Sequence, residues 1–335
     1  MRIILPVALF LSAIVSSDAF QSPIVPMANR RAVRVATGPC SLRASATATD
    51  YLSSLSNVQW QPPTVVPPTP PPTSNAMSGV QPMNGVQQAE GGSVDTFSHA
   101  PIENFAIAKL TPKGPRAGAD IGQPHDAAKP LPTTVESIKA GSWWCAAGGW
   151  PSPNQRPTTE VFYVFKGAGA LTDVDGTRHE FGPGDTVILP KGWSGRWDVL
   201  QDIHKVWITH DHPNVEVATP IRAVIVPNNA LDQQYMSPQG FRTDATHGSP
   251  ITASRSMFSA GPTAAGSWSC TPGSFPVNNR GTTEFFHVLE GVFFLTNSDG
   301  SARRCGPGDT VVLPKGWSGH WDVIETVRKL WVVVD

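Results

Sequence analysis

The apolar positions of this chain fall in short runs. Val161-Phe162-Tyr163-Val164-Phe165 is a β-branched and aromatic run ended by Gly167. Asp175-Gly176 is a hairpin turn pair, with Leu171 before it and Phe181 after it. Thr186-Val187-Ile188-Leu189 is a second apolar run, closed by Pro190 and Gly192, and Val206-Trp207-Ile208 is a third. No stretch of this region carries a sustained 3.6-residue apolar period, so helix content is expected to be low. Several short strands separated by Gly and Pro turns predict an all-β fold of the small sandwich or barrel kind.

The pattern occurs twice. Gly-Pro-Gly-Asp-Thr-Val-x-Leu-Pro-Lys-Gly-Trp-Ser-Gly-x-Trp-Asp-Val spans residues 182–199 and recurs at 306–323, an offset of 124 residues. Thr158-Thr159-Glu160 matches Thr282-Thr283-Glu284, and Lys205 and Trp207 match Lys329 and Trp331 at the same offset. Gly141-Ser142-Trp143 and Cys145 match Gly266-Ser267-Trp268 and Cys270 one residue further apart. A fixed period of this kind marks an internal duplication. The reading is one domain at 131–212, an inter-repeat linker at 213–249 and a second domain at 250–335, the two packed on each other because each is near the smallest size that folds alone. Further oligomerisation stays open.

The N-terminus reads as targeting sequence. Arg2 precedes an apolar run from Ile3 to Val15, giving a signal peptide over 1–19; the run is too short to span a membrane, so no span is expected in the mature chain. Residues 20–55 are rich in Arg, Ala, Ser and Thr and nearly free of acids, as in a transit peptide. A signal peptide followed by a transit peptide resembles the presequence of proteins bound for secondary plastids, with secretion as the alternative. Residues 56–130 are expected to be a disordered Pro- and Gly-rich linker.

The formal net charge of −1 gives no electrostatic case for nucleic acid or a membrane surface. Cys40 falls in the presequence, Cys145 and Cys270 are repeat mates, and Cys305 has no mate. Without a CxxC or Cys/His cluster these read as buried thiols, not as a disulfide framework or zinc site. No Ser–His–Asp or Cys–His constellation and no phosphate-cradling Gly loop is present.

Glu160-x6-Gly167 with Gly184-x5-Pro190-x-Gly192, and Glu284-x6-Gly291 with Gly308-x5-Pro314-x-Gly316, resemble the two motifs of cupins. The phrase around them is similar to EutQ-like and ureidoglycine-aminohydrolase-like cupin domains. The resemblance implies two tandem double-stranded β-helix (jelly-roll) barrels, a bicupin. It also implies a metal held by His-x-His-x3-Glu and a further histidine after the second motif. Those positions read Asn154-x-Arg156-x3-Glu160 with Gly195, and Asn278-x-Arg280-x3-Glu284 with Gly319. Only the glutamates remain, so no metal and no other cofactor is expected, and the manganese-dependent hydrolase activity does not carry over.

Arg156 and Arg280 are expected inside the barrels, paired with Glu160 and Glu284, either as the anchor of an anionic ligand or as a self-satisfied pair that binds nothing. Trp193, Trp197, Trp317 and Trp321 recur at matched positions; they wall a pocket or fill the core, and their large apolar area favours packing. Lys191, Lys315, Lys205 and Lys329 read as solvated, and His210, His212, His287 and His320 as surface histidines. Two functions follow: a metal-free small-molecule-binding bicupin, with weak acid/base activity from Glu160 or Glu284 as an option, or a non-catalytic structural or interaction module.

Overall fold

The structure is a computed structural model that describes residues 96–215 and 219–334. The expected signal peptide, transit-like segment and proline-rich stretch through residue 95 lie outside the described residues. Among the described residues the regular structure is all β apart from four short 3-10 turns. The first half comprises β1 (Ser98–Ala100), β2 (Thr111–Pro115), β3 (His125–Leu131), β4 (Ile138–Cys145) and β5 (Gly148–Ser152). It continues with β6 (Thr159–Asp173), β7 (Arg178–Phe181), β8 (Thr186–Leu189) and β9 (Gly195–His210). The second half opens with β10 (Val224–Val226), β11 (Ser237–Phe241), β12 (His247–Gly248), β13 (Ile251–Ala260), β14 (Thr263–Cys270) and β15 (Gly273–Val277). It closes with β16 (Thr283–Glu290), β17 (Phe293–Asn297), β18 (Ala302–Cys305), β19 (Thr310–Leu313), β20 (Gly319–Val323) and β21 (Val327–Val334).

Each half is an antiparallel double-sheet barrel. The large sheets run β10-β8-β6-β9-β4-β3-β2 and β1-β19-β16-β21-β14-β13-β11. In the first half the long β6 and β9 bend through both sheets and also pair with β7 and β5. In the second half the same path is broken into β16/β17 and β20/β21, leaving a separate small sheet, β12-β15-β20-β17-β18.

Strand alternation assigns the two faces. Phe162, Val164 and Leu171 fill the interior of the first barrel with Trp193 and Trp197, and Phe286, Val288 and Phe293 fill the second with Trp317 and Trp321. The residues between them, Val161, Tyr163 and Phe165, point the other way and meet Phe285, Leu289, Leu330 and Val332 in one core shared by both barrels. Both faces of each large sheet are therefore apolar, which is why the run at 161–165 has no polar position.

The stretch read as linker up to residue 130 carries β1, β2 and β3 from Ser98 onward, and the stretch 213–249 carries β10, β11 and β12. β2, β3, β11 and β12 carry Pro, Gly or polar residues that hid them, while β1 and β10 are only three residues long. They also extend the duplication upstream, since β1 and β2 match β10 and β11. The two halves exchange β1 and β10. β1 pairs only with β19 of the second barrel, and β10 only with β8 of the first.

The repeated Gly-Pro-Gly-Asp string secures that exchange. Asp185 accepts the Gly182 N–H at 2.9 Å and, with its other oxygen, the Asn228 N–H at 2.9 Å. Asp309 does the same with Gly306 and Ile102, both at 3.0 Å. Gly184 and Gly308 sit at φ +88 and +87, and a Cβ there would lie 2.5 Å from Asn228 and 2.3 Å from Ile102. One motif therefore closes its own turn and pins the incoming segment of the other half.

His287, expected at the surface, is fully buried in the shared core: by strand parity it faces away from its own barrel and onto the other. Its ring lies 4.8 Å from that of Tyr163 and 5.1 Å from that of Phe165. Nδ1 is 3.2 Å from the Thr310 hydroxyl, and Nε2 has no partner among the described residues. Burial pushes its pKa down to about 3, and burial likewise pushes that of His204, beside Phe165, down to about 4. Both unfolded histidines titrate near 6.5. As pH falls below that value the unfolded chain takes up protons that the folded chain refuses, so stability is lost down to the folded pKa. Denaturant melts between pH 7 and 4 should show this loss. His287→Leu should reduce the slope by about 1.4 kcal/mol per pH unit, the contribution of one proton; an unchanged slope would place His287 in contact with water.

Candidate functional sites in the two barrels

Each barrel opens into a cavity lined by matched residues. The first, of about 250 Å³, is walled by Trp143, Trp150, Trp197 and Trp207 and carries Lys113, Arg116, Arg156, Glu160 and Lys205. The second, of about 330 Å³, is walled by Trp268, Phe275, Trp321 and Trp331 and carries Arg242, Arg280, Glu284 and Lys329, with Gln239 in the place of Lys113.

At the centre of each cavity one carboxylate holds two cations. Glu160 Oε1 accepts from Lys205 Nζ at 2.7 Å and Oε2 from Arg156 Nη2 at 2.5 Å. Glu284 Oε1 accepts from Lys329 Nζ at 3.0 Å, and its Oε2 is 3.0 Å from Arg280 Nη2. The lysines, expected to be solvated, are 4% exposed, as buried as the glutamates at 6%. Lys205 Nζ lies over Phe162, Trp197 and Trp143 at 3.7, 4.9 and 5.0 Å from the ring centroids. Lys329 Nζ lies over Phe286, Trp321 and Trp268 at 4.2, 4.6 and 4.7 Å. Aromatic faces stabilise a desolvated ammonium by about 2 kcal/mol, which offsets part of the cost of burying it.

The rim of each cavity holds another arginine. Arg116 stacks 4.1 Å over Trp150 and bonds Asp126 at 3.1 Å, and Asp126 also accepts the Trp143 indole N–H at 3.0 Å. Arg242 stacks 3.9 Å over Phe275 and pairs with Asp244. In both cavities the cations outnumber the carboxylates.

Burial pushes the Glu160 and Glu284 carboxyls up, but Lys205 with Arg156, and Lys329 with Arg280, outweigh it and hold both acids below the ordinary carboxylate range. Burial pushes Lys205 and Lys329 below the ordinary lysine range against the pull of their glutamates, and the neighbouring arginines push the same way. Both glutamates are therefore ionised at neutral pH. Burial pushes Cys145 up to about 12 and Cys270 up to about 11, so neither is a thiolate nucleophile at neutral pH.

Of the residues singled out in the sequence, Arg156, Glu160 and Trp197, and Arg280, Glu284 and Trp321, line the cavities. Asn154 and Asn278 are exposed and line neither. Trp193 and Trp317 are fully buried beneath the cavities, donating their indole N–H to Asp173 at 2.7 Å and Asn297 at 2.8 Å. His210 and His212 are also buried rather than at the surface, on Thr263 and Thr159. Lys205 and Lys329 were legible in principle: in Lys205-Val206-Trp207 and Lys329-Leu330-Trp331, strand parity puts the lysine on the same face as the cavity-lining tryptophan.

The donors present do not fit a divalent metal. Both oxygens of the single carboxylate are already engaged by cations, and among the described residues no histidine or cysteine lines either cavity. The positions of the second-motif histidine are closed as well. A Cβ at Gly195 would lie 2.2 Å from the Thr172 carbonyl oxygen and 2.8 Å from the Trp193 ring, and at Gly319 2.3 Å from both the Thr296 oxygen and the Trp317 ring. Outside the cavities, His99, Cys305 and Asp309 gather at the β1–β19 pairing, but both Asp309 oxygens there accept backbone N–H groups.

Two double-sheet barrels joined by reciprocal strand exchange, each with its site in the barrel mouth, define a bicupin. Residues 134–207 and 259–331 both match the family model of the EutQ-like cupin domain. A DUF861-family protein of unknown function from Pseudomonas syringae aligns over 72% of this chain and 100% of its own, at TM-score 0.56 and 19% identity. Protein Ylba from E. coli, also DUF861, aligns over 72% and 92%, at TM-score 0.50 and 11% identity. These likenesses are of fold. No curated protein matches the sequence.

Removing one glutamate strands a buried lysine and a half-buried arginine, so Glu284→Gln should destabilise the protein by about 3–5 kcal/mol. Arg280→Met with Glu284→Leu still strands Lys329, whereas adding Lys329→Met should recover most of the loss. Chemical denaturation of the three variants checks this; a loss below about 0.5 kcal/mol for Glu284→Gln would mean that the cluster is solvated.

Proposed function

We propose that the protein is a metal-free bicupin that binds a small anionic metabolite in each barrel. The observation behind this reading is the matched pair of aromatic-walled cavities in which a single carboxylate is shared by a lysine and an arginine. Each of these arginines spends one N–H on the glutamate and has others to offer, and the Nε of both is buried without a partner among the described residues. A carboxylate or phosphate suits such a guanidinium, and the indole walls suit the apolar body of a small organic acid. The residues of the first cavity, with Lys113 where the second has Gln239, suit a more highly charged anion.

Thermal melts of the purified protein with acetate, succinate and phosphate test the reading. A ligand at one hundred times its Kd stabilises by about 2.7 kcal/mol, so at least one anion should raise Tm by several degrees. The double variant Arg156→Met, Arg280→Met should not respond. No shift with any anion would leave the reading of a non-catalytic interaction module, which the filled barrel floors around Trp193 and Trp317 support.

The leader composition supports delivery to a plastid. Residues 1–55 fused to a fluorescent protein should reach the plastid in an alga with a secondary plastid, and secretion into the medium is the outcome that rejects this.

A further inference from the structure

We propose that Lys205 and Lys329 are imine-forming lysines that condense with a small oxo acid held by the neighbouring arginine. The inference rests on the reading of the cavities as anion sites and adds to it an electrophilic ligand and a covalent step.

A lysine kept only as a counter-ion needs no cavity beside it. Here Nζ is carried on a buried stem from the matched strands β9 and β21 to the wall of a cavity of 250–330 Å³. It lies against aromatic faces rather than water and is bonded to one carboxylate oxygen at 2.7 or 3.0 Å. Burial and the adjacent arginines disfavour the ammonium, while the bonded glutamate is positioned to take its proton. The same arrangement appears in both barrels, although the cavities differ around it.

The step balances without a further reactant. The lysine ammonium passes one proton to the glutamate, and the free amine adds to the carbonyl carbon, forming the C–N bond. The carbonyl oxygen collects that proton and a second from nitrogen and leaves as water, so ammonium and oxo acid become protonated imine and water. The positive charge begins and ends on nitrogen, opposite the glutamate. Aromatic walls that shed water favour condensation over hydrolysis. The ligand class follows from spacing: Arg Nη2 and Lys Nζ contact the two oxygens of one carboxylate, so the ligand's own carboxylate and carbonyl must be near neighbours, as in a 2-oxo acid.

Incubation of the purified protein with pyruvate or 2-oxoglutarate and sodium cyanoborohydride, followed by peptide mapping by mass spectrometry, tests the proposal. Reductive adducts should form at Lys205 and Lys329, about tenfold or more above the exposed Lys109 and Lys139. The matching hydroxy acids should compete without forming adducts. Lys205→Arg and Lys329→Arg, which keep a cation on the glutamate, should remove the corresponding adduct; if either variant fails to fold, the map of the unmodified sequence decides alone. Adducts confined to exposed lysines, or none at either site with both oxo acids, would overturn the imine. If the oxo acid still raises Tm in that case, the lysines are counter-ions and the anion sites stand. If it does neither and no other anion stabilises the protein, both readings fall.

Discussion

The architecture depends on large sheets that are apolar on both faces. A sheet that packs a barrel on one side can normally leave its other side to water. Here Val161, Tyr163 and Phe165 alternate with Phe162 and Val164, and Phe285 and Leu289 alternate with Phe286 and Val288, so neither face can be wet. Back-to-back packing is the solution, at about 25 cal/mol for each Å² of apolar surface buried. The strand exchange through β1 and β10 closes the open edges at β19 and β8, edges that would otherwise template pairing with other chains. Two barrels thus become one folding unit, and the aspartates of the repeated string serve that unit rather than any ligand.

With the sheets fixed, parity decides what enters the barrel. Glu160 lies in phase with Phe162 and Val164, and Lys205 in phase with Trp207, so a carboxylate and an ammonium must meet in an apolar interior. Burying charge costs several kcal/mol per ion and is tolerated only with close partners. The second cation on each glutamate and the aromatic faces over each lysine are the partners that make the cluster bearable. With the rim arginines on Trp150 and Phe275, these cations give each cavity more positive than negative charge. In the metal-binding cupins that the motifs resemble, a cation occupies the barrel mouth. Here fixed side-chain cations hold the retained glutamate, and Trp193 and Trp317 occupy the space that a second-motif histidine would need.

Much of this was legible in the chain, and what was not has identifiable causes. The barrel strands showed as β-branched and aromatic runs, and the duplication as a fixed offset. The pairing of Arg156 with Glu160, and of Arg280 with Glu284, followed from their shared place in the motif. Among the strands that were missed, β2, Thr-Pro-Lys-Gly-Pro, has no strand composition and is held by its neighbour β3, while the exchanged β1 and β10 are only three residues long. The tryptophans at 193 and 197 have the same composition and nearly the same position, yet one seals the floor and the other walls the cavity.

The sequence by itself determined the number of barrels, their all-β character and the loss of the metal ligands. Those are properties of residue type and local period, which a chain carries wherever it folds. Tertiary structure alone decided that His287 is buried against Tyr163 and Phe165, that β1 belongs to the second barrel, and that Lys205 and Lys329 complete the charged clusters. Each depends on which surface a residue meets across the fold. A lysine in a strand reads as solvated until the opposite wall of the barrel, with its carboxylate and indoles, is in place.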